Sequence, residues 1–488
     1  MTRRLSYLDS YKLRAAVALC LGFAAGAGTQ PVRAQAALPA PVAASLSAAG
    51  IAADGVAAFV QEVGSTSPLL AFNTAQPMNP ASTMKLLTTY AALELLGPSF
   101  TWKTEAYASG AMSGDVLEGD LVLRGTGDPK LTVENFWLLL RGLRARGLRE
   151  IRGDLVLDRG YFESFEEDAA SFDNEPLRSY NVSPDALLLN FKTVRFTFSP
   201  DLERHRVQVV AEPRPAQLEL AQSVRLSEGP CGDWRTRIKA EFRTTEGGAR
   251  ASFSGTYPAS CGEQTWNVAL LPHGTYVYGV FRELWGEMGG VLRGGFREGN
   301  PRPSSALLFS LDSPSLAEVV RDINKFSNNV MARQLFLTLS AEILRLPASA
   351  DRSSAVIQSW LKQKSLEFPE LVIENGAGLS RRERISAGHL GALLLLAWKS
   401  PVMPEFIASM PLVAYDGTMR RRMNFDPIAG QAHIKTGSLS DARAAAGYVL
   451  DRNGRRFAVV FIINHANAAA GEVAQDVLLR WIYEGAAS

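Results

Sequence analysis

Three short strings carry residues whose types and order suit acyl transfer: Ser82-Thr83-Met84-Lys85, Ser327-Asn328-Asn329 and Lys435-Thr436-Gly437. A serine hydroxyl is a poor nucleophile and needs a base within hydrogen-bond reach. Lys85 can be that base when neutral, a state favoured by desolvation and by a nearby positive charge. Lys435 would supply the charge, and two coupled ammonium groups titrate as a pair. Ser327 can relay a proton to a leaving amine, and Asn329 can fix Lys85 and a substrate amide. Lys435, Thr436 and Ser438 present a cation and hydroxyls suited to a terminal carboxylate. The backbone N–H groups of Ser82 and Ser438 can form an oxyanion hole.

The elements around these strings decide which matches count. Pro80 precedes an apolar run, Leu86, Leu87, Tyr90, Ala91, Leu93, Leu95 and Leu96, that Gly97-Pro98 stops. A helix apolar on nearly all sides is buried, so Lys85 leaves a core helix beside Ser82. A second Ser-x-x-Lys, Ser359 to Lys362, is flanked by Gln358, Gln363 and Lys364 and predicts an exposed helix face. A second Ser-x-Asn, Ser179-Tyr180-Asn181, falls in a loop and is the weaker candidate. Ser327 stands at a junction between two helical patterns, 316–326 and 328–344. Lys435 lies on a strand that heads a C-terminal antiparallel meander, 433–437, 444–450 and 457–463, whose last two strands turn at Asn453-Gly454.

Residues 1–34 read as an export signal. Arg3, Arg4, Lys12 and Arg14 precede a short apolar stretch, and Val32-Arg33-Ala34 supplies a small-residue cleavage site. That stretch is too short to span a bilayer, which leaves cleavage ahead of a retained anchor. The mature chain would then be periplasmic or otherwise extracytoplasmic, with peripheral membrane association open. The chain's formal net charge of +2 becomes slightly negative without this segment, which gives no electrostatic footprint for nucleic acid. Two of the three cysteines, Cys231 and Cys261, remain after it, and in an oxidising compartment they read as a disulfide, with two buried thiols as the alternative. The five histidines show no zinc spacing. No metal or organic cofactor is implied.

The three strings in this order are the signature shared by penicillin-binding proteins and class A β-lactamases. Ser82 and Ser327 are too far apart for a β-lactamase, and no Glu-x-x-Leu-Asn string is present to hold a deacylating water. With "SYNVSPDALLLNF", "ENGAGLSR", "DGTM" and "HIKTGSLSDARAAAGYV", the chain resembles the D-alanyl-D-alanine carboxypeptidase/endopeptidase family, the low-molecular-mass class C penicillin-binding proteins. Glu374 to Gly378 departs from the Asp-Gly-Ser-Gly usual there, and Ser438 replaces the commoner threonine.

The resemblance implies an α/β fold. A transpeptidase-like domain, an antiparallel sheet flanked by helices, would comprise 38–103 and 307–488. It would carry a mostly β insertion of two domains, 104–182 with 275–306, and 183–274. The implied activity is cleavage of D-Ala–D-X bonds in peptidoglycan stem peptides through an acyl-enzyme on Ser82, with β-lactams as covalent inhibitors. Lys85, Ser327, Asn329 and Lys435 would complete the catalytic set, and Lys435, Thr436, Gly437 and Ser438 would bind the substrate. By position, the resemblance also makes Asp158 the partner of a side-chain ammonium on the substrate. Tyr161 or Phe162 would be its apolar wall, and Arg381 a candidate for a side-chain carboxylate. The nearest rival in the same chemistry is a β-lactamase, and the rival from another class is a catalytically idle wall-binding scaffold. Oligomeric state and the carboxypeptidase–endopeptidase balance are left open.

Overall fold

Apolar runs from the two ends of the chain meet in one antiparallel sheet, ordered Ala432–Ser438, Ala442–Leu450, Arg456–Asn464, Val56–Glu62 and Leu70–Phe72. The structure is a computed structural model and describes residues 37–164, 168–245 and 247–485; the segment read as an export signal lies outside them. The central strands read as continuous apolar runs because both faces of this sheet are covered. Ala57, Phe59, Ala458, Val460 and Ile462 face the helices Lys85–Leu96 and Ala387–Trp398. The alternate residues Val56, Ala58, Val60, Val459 and Phe461 face Ala40–Ala48 and Glu472–Tyr483. That alternation is the two-residue period of a strand.

The helix Lys85–Leu96 is buried as its composition predicts, with every residue from Lys85 to Leu93 inaccessible to solvent. Ser82 is not on it. Ala81–Met84 forms a 3₁₀ turn that leads into the helix, and in a 3₁₀ turn residues three apart eclipse one another. The turn therefore stacks Ser82 and Lys85 more closely in rotation than an α-helix would. The decoy Ser359 lies on the exposed face of the helix Ala350–Gln363.

Two further sheets come from the middle of the chain. A seven-stranded sheet includes Lys103–Ser113, Val116–Gly125, Leu155–Asp158 and Ala306–Asp312, and it packs against the helices Val133–Ala145 and His273–Glu287. Ala306–Asp312 pairs with Lys103–Ser113, so residues 307–312 complete this sheet and do not begin the returning catalytic segment. A six-stranded sheet is built from strands between Val194 and Val268. Its strands Leu218–Ser227 and Ile238–Thr245 carry mostly half-exposed and exposed polar residues, which hid them from an apolar-pattern reading. The disulfide Cys231–Cys261 packs into the core of this body, spanning 30 residues. All of this, from Ala36 onward, clusters as one compact unit.

Candidate active site

The reactive hydroxyls are half-buried while both lysine side chains are fully enclosed, so the cations have exchanged water for fixed protein partners. Lys85 Nζ donates to Ser82 Oγ at 3.0 Å, to Asn329 Oδ1 at 2.6 Å, and to the carbonyl of Ala377. Lys435 Nζ donates to Ser327 Oγ at 2.8 Å and to its neighbour's carbonyl, Thr436 O, at 2.7 Å. The five candidate groups thus form two linked donor–acceptor sets, one around each lysine.

Each backbone is bent to achieve this. The helix Leu316–Phe326 ends at Ser327, which takes left-handed angles, φ 56° and ψ 38°. A side chain with a Cβ pays for that conformation, and such strain is commonly found at functional positions. Asn328 then caps the next helix, its side chain accepting from Met331 N at 3.1 Å. Ser327 and Asn329 are left on either side of the cap, facing the two lysines. The strand Ala432–Ser438 lies at the sheet's edge. The N–H of Ile434 points out of that edge to Pro411 O at 2.8 Å. By the alternation of an antiparallel strand, the N–H groups of Thr436 and Ser438 point the same way.

Gly437 lets this strand approach Ser82. A Cβ there would lie 2.9 Å from Ser82 N and 2.8 Å from Pro80 O. The Thr436 hydroxyl meets Thr418 Oγ1 at 2.7 Å. The loop that carries Thr418 is tied to the Ser327 region by the ion pair of Lys325 with Asp416 at 2.6 Å.

Burial pulls Lys85 down to about 7, with the Glu383 carboxylate pulling it partly back. Lys435 is held well below the ordinary lysine range, first by burial and then by the Lys85 charge. A pair so enclosed carries one positive charge more readily than two. A neutral Lys85 within that pair is the amine that the Ser82 hydroxyl needs.

Not all the expected binding residues join them. Asp158 is buried, accepts from Gly160 N at 3.1 Å and pairs with Arg124 at 3.5 Å. Tyr161 donates its hydroxyl to Glu342, and Phe162 packs with Leu337, Ala341 and Ala348. Glu342 is thirteen residues beyond Asn329 on the helix Asn329–Leu344, roughly 20 Å along its axis. The Tyr161 hydroxyl is therefore held at the far end of that helix from Asn329, Phe162 meets the same helix at Leu337 and Ala341, and Asp158 is engaged by Arg124. Arg381 lines a recess of about 530 Å³ with Asn375, Ser380 and Phe172. Its guanidinium is already bonded to Asp441 at 2.8 Å and sits 4.8 Å over the Phe172 ring. Asn181 is buried and donates to Asp173 Oδ1 at 2.7 Å and to Glu175 O at 3.0 Å, so its amide braces a loop.

Sequence reasoning missed the Ala377 carbonyl and Glu383. A backbone carbonyl has no residue type to betray it, and Glu383 stands in the string Arg381-Arg382-Glu383-Arg384, which reads as a solvated turn.

A family model for the D-Ala-D-Ala carboxypeptidase 3 (S13) family matches residues 38–484. The chain belongs to that family. It is accordingly a serine-type D-Ala-D-Ala carboxypeptidase by family, an enzyme of the hydrolase class. It is 25% identical over 400 residues to the D-alanyl-D-alanine carboxypeptidase DacB of Haemophilus influenzae, covering 80% of this chain and 82% of that one. It is 26% identical over 415 residues to the D-alanyl-D-alanine carboxypeptidase of Actinomadura sp. strain R39, covering 82% and 76%. The crystal structure of penicillin binding protein 4 from Haemophilus influenzae superposes with a TM-score of 0.74 at 21% identity, covering 90% of this chain and 99% of that chain. That likeness extends the shared fold to the inserted sheets.

Proposed function

We propose that this S13 family member is an exported D,D-peptidase that cleaves D-Ala–D-X bonds of peptidoglycan stem peptides, as carboxypeptidase, endopeptidase or both. The observation that carries the reading is Lys85: a buried amine held to about 7 with its nitrogen 3.0 Å from the Ser82 hydroxyl.

In the proposed reaction, Ser82 Oγ attacks the carbonyl carbon of the penultimate D-Ala while its proton passes to Lys85 Nζ. The new oxyanion lies between the N–H groups of Ser82 and Ser438, the second offered by the open sheet edge. The substrate extends along that edge as an added strand. Its terminal carboxylate meets Thr436, Ser438 and the charge of Lys435, with Gly437 keeping the backbone close. Collapse of the tetrahedral intermediate breaks the C–N bond. Ser327 gives its hydroxyl proton to the leaving amine and recovers one from Lys435, and the proton that Lys85 took from Ser82 makes good the loss to the lysine pair. Water then adds to the ester carbon, releasing the acyl group and restoring the Ser82 hydroxyl. β-Lactams would be trapped at the ester stage. Export is supported by the N-terminal sequence pattern, by the match beginning at residue 38, after that pattern, and by the disulfide.

Two measurements test this. Labelled penicillin should give a covalent adduct that maps to Ser82, is absent in Ser82→Ala and persists in Ser359→Ala. Incubation with purified muropeptides should yield products lighter by D-Ala, or split at a D-Ala cross-link. An adduct on another residue, or unchanged muropeptides, would defeat the reading.

A further inference from the structure

One carboxylate beneath the site takes no part in the chemistry described so far. Glu383 is completely buried, although Arg381 and Arg382 beside it face solvent. Its Oε1 accepts three backbone N–H bonds, from Glu374 at 3.1 Å, Asn375 at 3.0 Å and Gly376 at 3.2 Å. Its Oε2 is buried with no hydrogen-bond partner among the described residues. The turn it gathers leads straight to the nucleophile's base. Gly376 O accepts from Thr88 Oγ1 at 2.7 Å, and the next carbonyl, Ala377 O, accepts from Lys85 Nζ. Lys85 and Thr88 are three apart on one helix and so share a face.

Three N–H bonds alone do not call for a charge, since a neutral amide oxygen accepts them at a smaller desolvation cost. A carboxylate enclosed this way needs a cation, and the cation whose field it feels is Lys85. The influence is mutual: burial pushes Glu383 up while the Lys85 charge opposes that, and Glu383 in turn draws Lys85 upward against burial. Lys85 is faced by Ser82 from its own turn, Asn329 from the following helix, Lys435 from the edge strand, and Ala377 O and Glu383 from the 374–383 loop. Of these only Lys435 and Glu383 carry titratable side chains.

We propose that Glu383 is a positioning residue for Lys85. Its carboxylate folds the 374–376 turn so that the Ala377 carbonyl meets the amine, and its charge sets how tightly Lys85 holds its proton. The inference rests on the proposed role of Lys85 as the base for Ser82.

The test compares wild type, Glu383→Gln and Glu383→Asp by rate of labelled-penicillin acylation between pH 5 and 9, mapping the adduct to Ser82 and recording folding by circular dichroism. The Gln variant keeps an oxygen for the turn and loses the charge, so its acid limb should move to lower pH by about one unit or more. The Asp variant keeps the charge on a shorter arm. Its limb should stay near the wild-type position while its plateau rate falls severalfold. A folded Gln variant whose profile superimposes on wild type overturns the proposal. If the Gln variant does not fold, an Asp limb displaced by a full unit overturns it, and an unmoved Asp limb with a lowered plateau supports it. If neither folds, Glu383 is a folding determinant only and the proposal falls. Wild type that takes no label at Ser82 removes the acyl-enzyme reading and this proposal together, whereas labelled wild type with unmoved variants removes this proposal alone.

Discussion

Lys85 gives the acylation step its expected pH dependence. With the amine held to about 7, its neutral form gains as pH rises through that value. The acylation rate should therefore climb through about pH 7, and fall about tenfold per unit well below it; a flat profile from pH 5 to 9 would show that Lys85 is not the base. Asn329 holds the same nitrogen at 2.6 Å. Asn329→Ala should slow acylation by roughly a hundredfold or more, in line with the loss of a positioned catalytic group. Asn181→Ala should cost about 1 kcal/mol of stability through its lost loop bonds and leave acylation nearly intact. Comparing both mutants by labelling rate and thermal melting separates the two Ser-x-Asn strings; the reverse ranking would reassign the site.

Among the elements, the 374–380 loop lies tight against the turn that carries Ser82. Gly378 has φ +76°, and a Cβ there would lie 1.9 Å from Ala81 O and 2.8 Å from Ser82 N. Neither is the far end of a flexible side chain, so the backbone of the nucleophile's turn must move. Gly378→Ala should lower acylation at least tenfold while the six-stranded body keeps its structure; wild-type labelling would mean the turn tolerates displacement. The 3₁₀ turn, the left-handed Ser327 and the edge strand form the other half of this arrangement. Each places a reactive group by a backbone irregularity that the regular helix and sheet beside it hold in place.

At the scale of the molecule, the disulfide lies far along the chain from every catalytic group. Cys231 and Cys261 belong to the six-stranded body, while Ser82, Lys85, Ser327, Asn329 and Lys435 gather around the five-stranded sheet. In the chain-entropy account a closed loop of this length contributes roughly 3–4 kcal/mol. Cys231→Ser with Cys261→Ser should lower the melting temperature of the inserted body and leave the penicillin labelling rate within about twofold. A large loss of labelling would show that the inserted body holds the site together, and an unchanged melting profile would show that the bond does not stabilise it.

The sequence by itself singled out the five residues that gather around Lys85 and Lys435, the buried helix, the helix junction at Ser327 and the C-terminal meander. These are local matters: a short motif, an apolar period and a turn signal are written within a few residues of where they act. It also separated Ser82 from Ser359, because the polar residues around Ser359 give its helix a solvent face. What it could not supply was anything set by distant packing. Pairing of Val56–Glu62 with Arg456–Asn464 joins the two ends of the chain, and the edge position of Ala432–Ser438 follows from that closure. Glu383 was illegible because burial is decided by what folds over a residue, and its arginine neighbours pointed to solvent. The surroundings of Asp158 were illegible for the same reason: only the tertiary structure decided that its carboxylate is buried beside Arg124 at the end of the strand Leu155–Asp158.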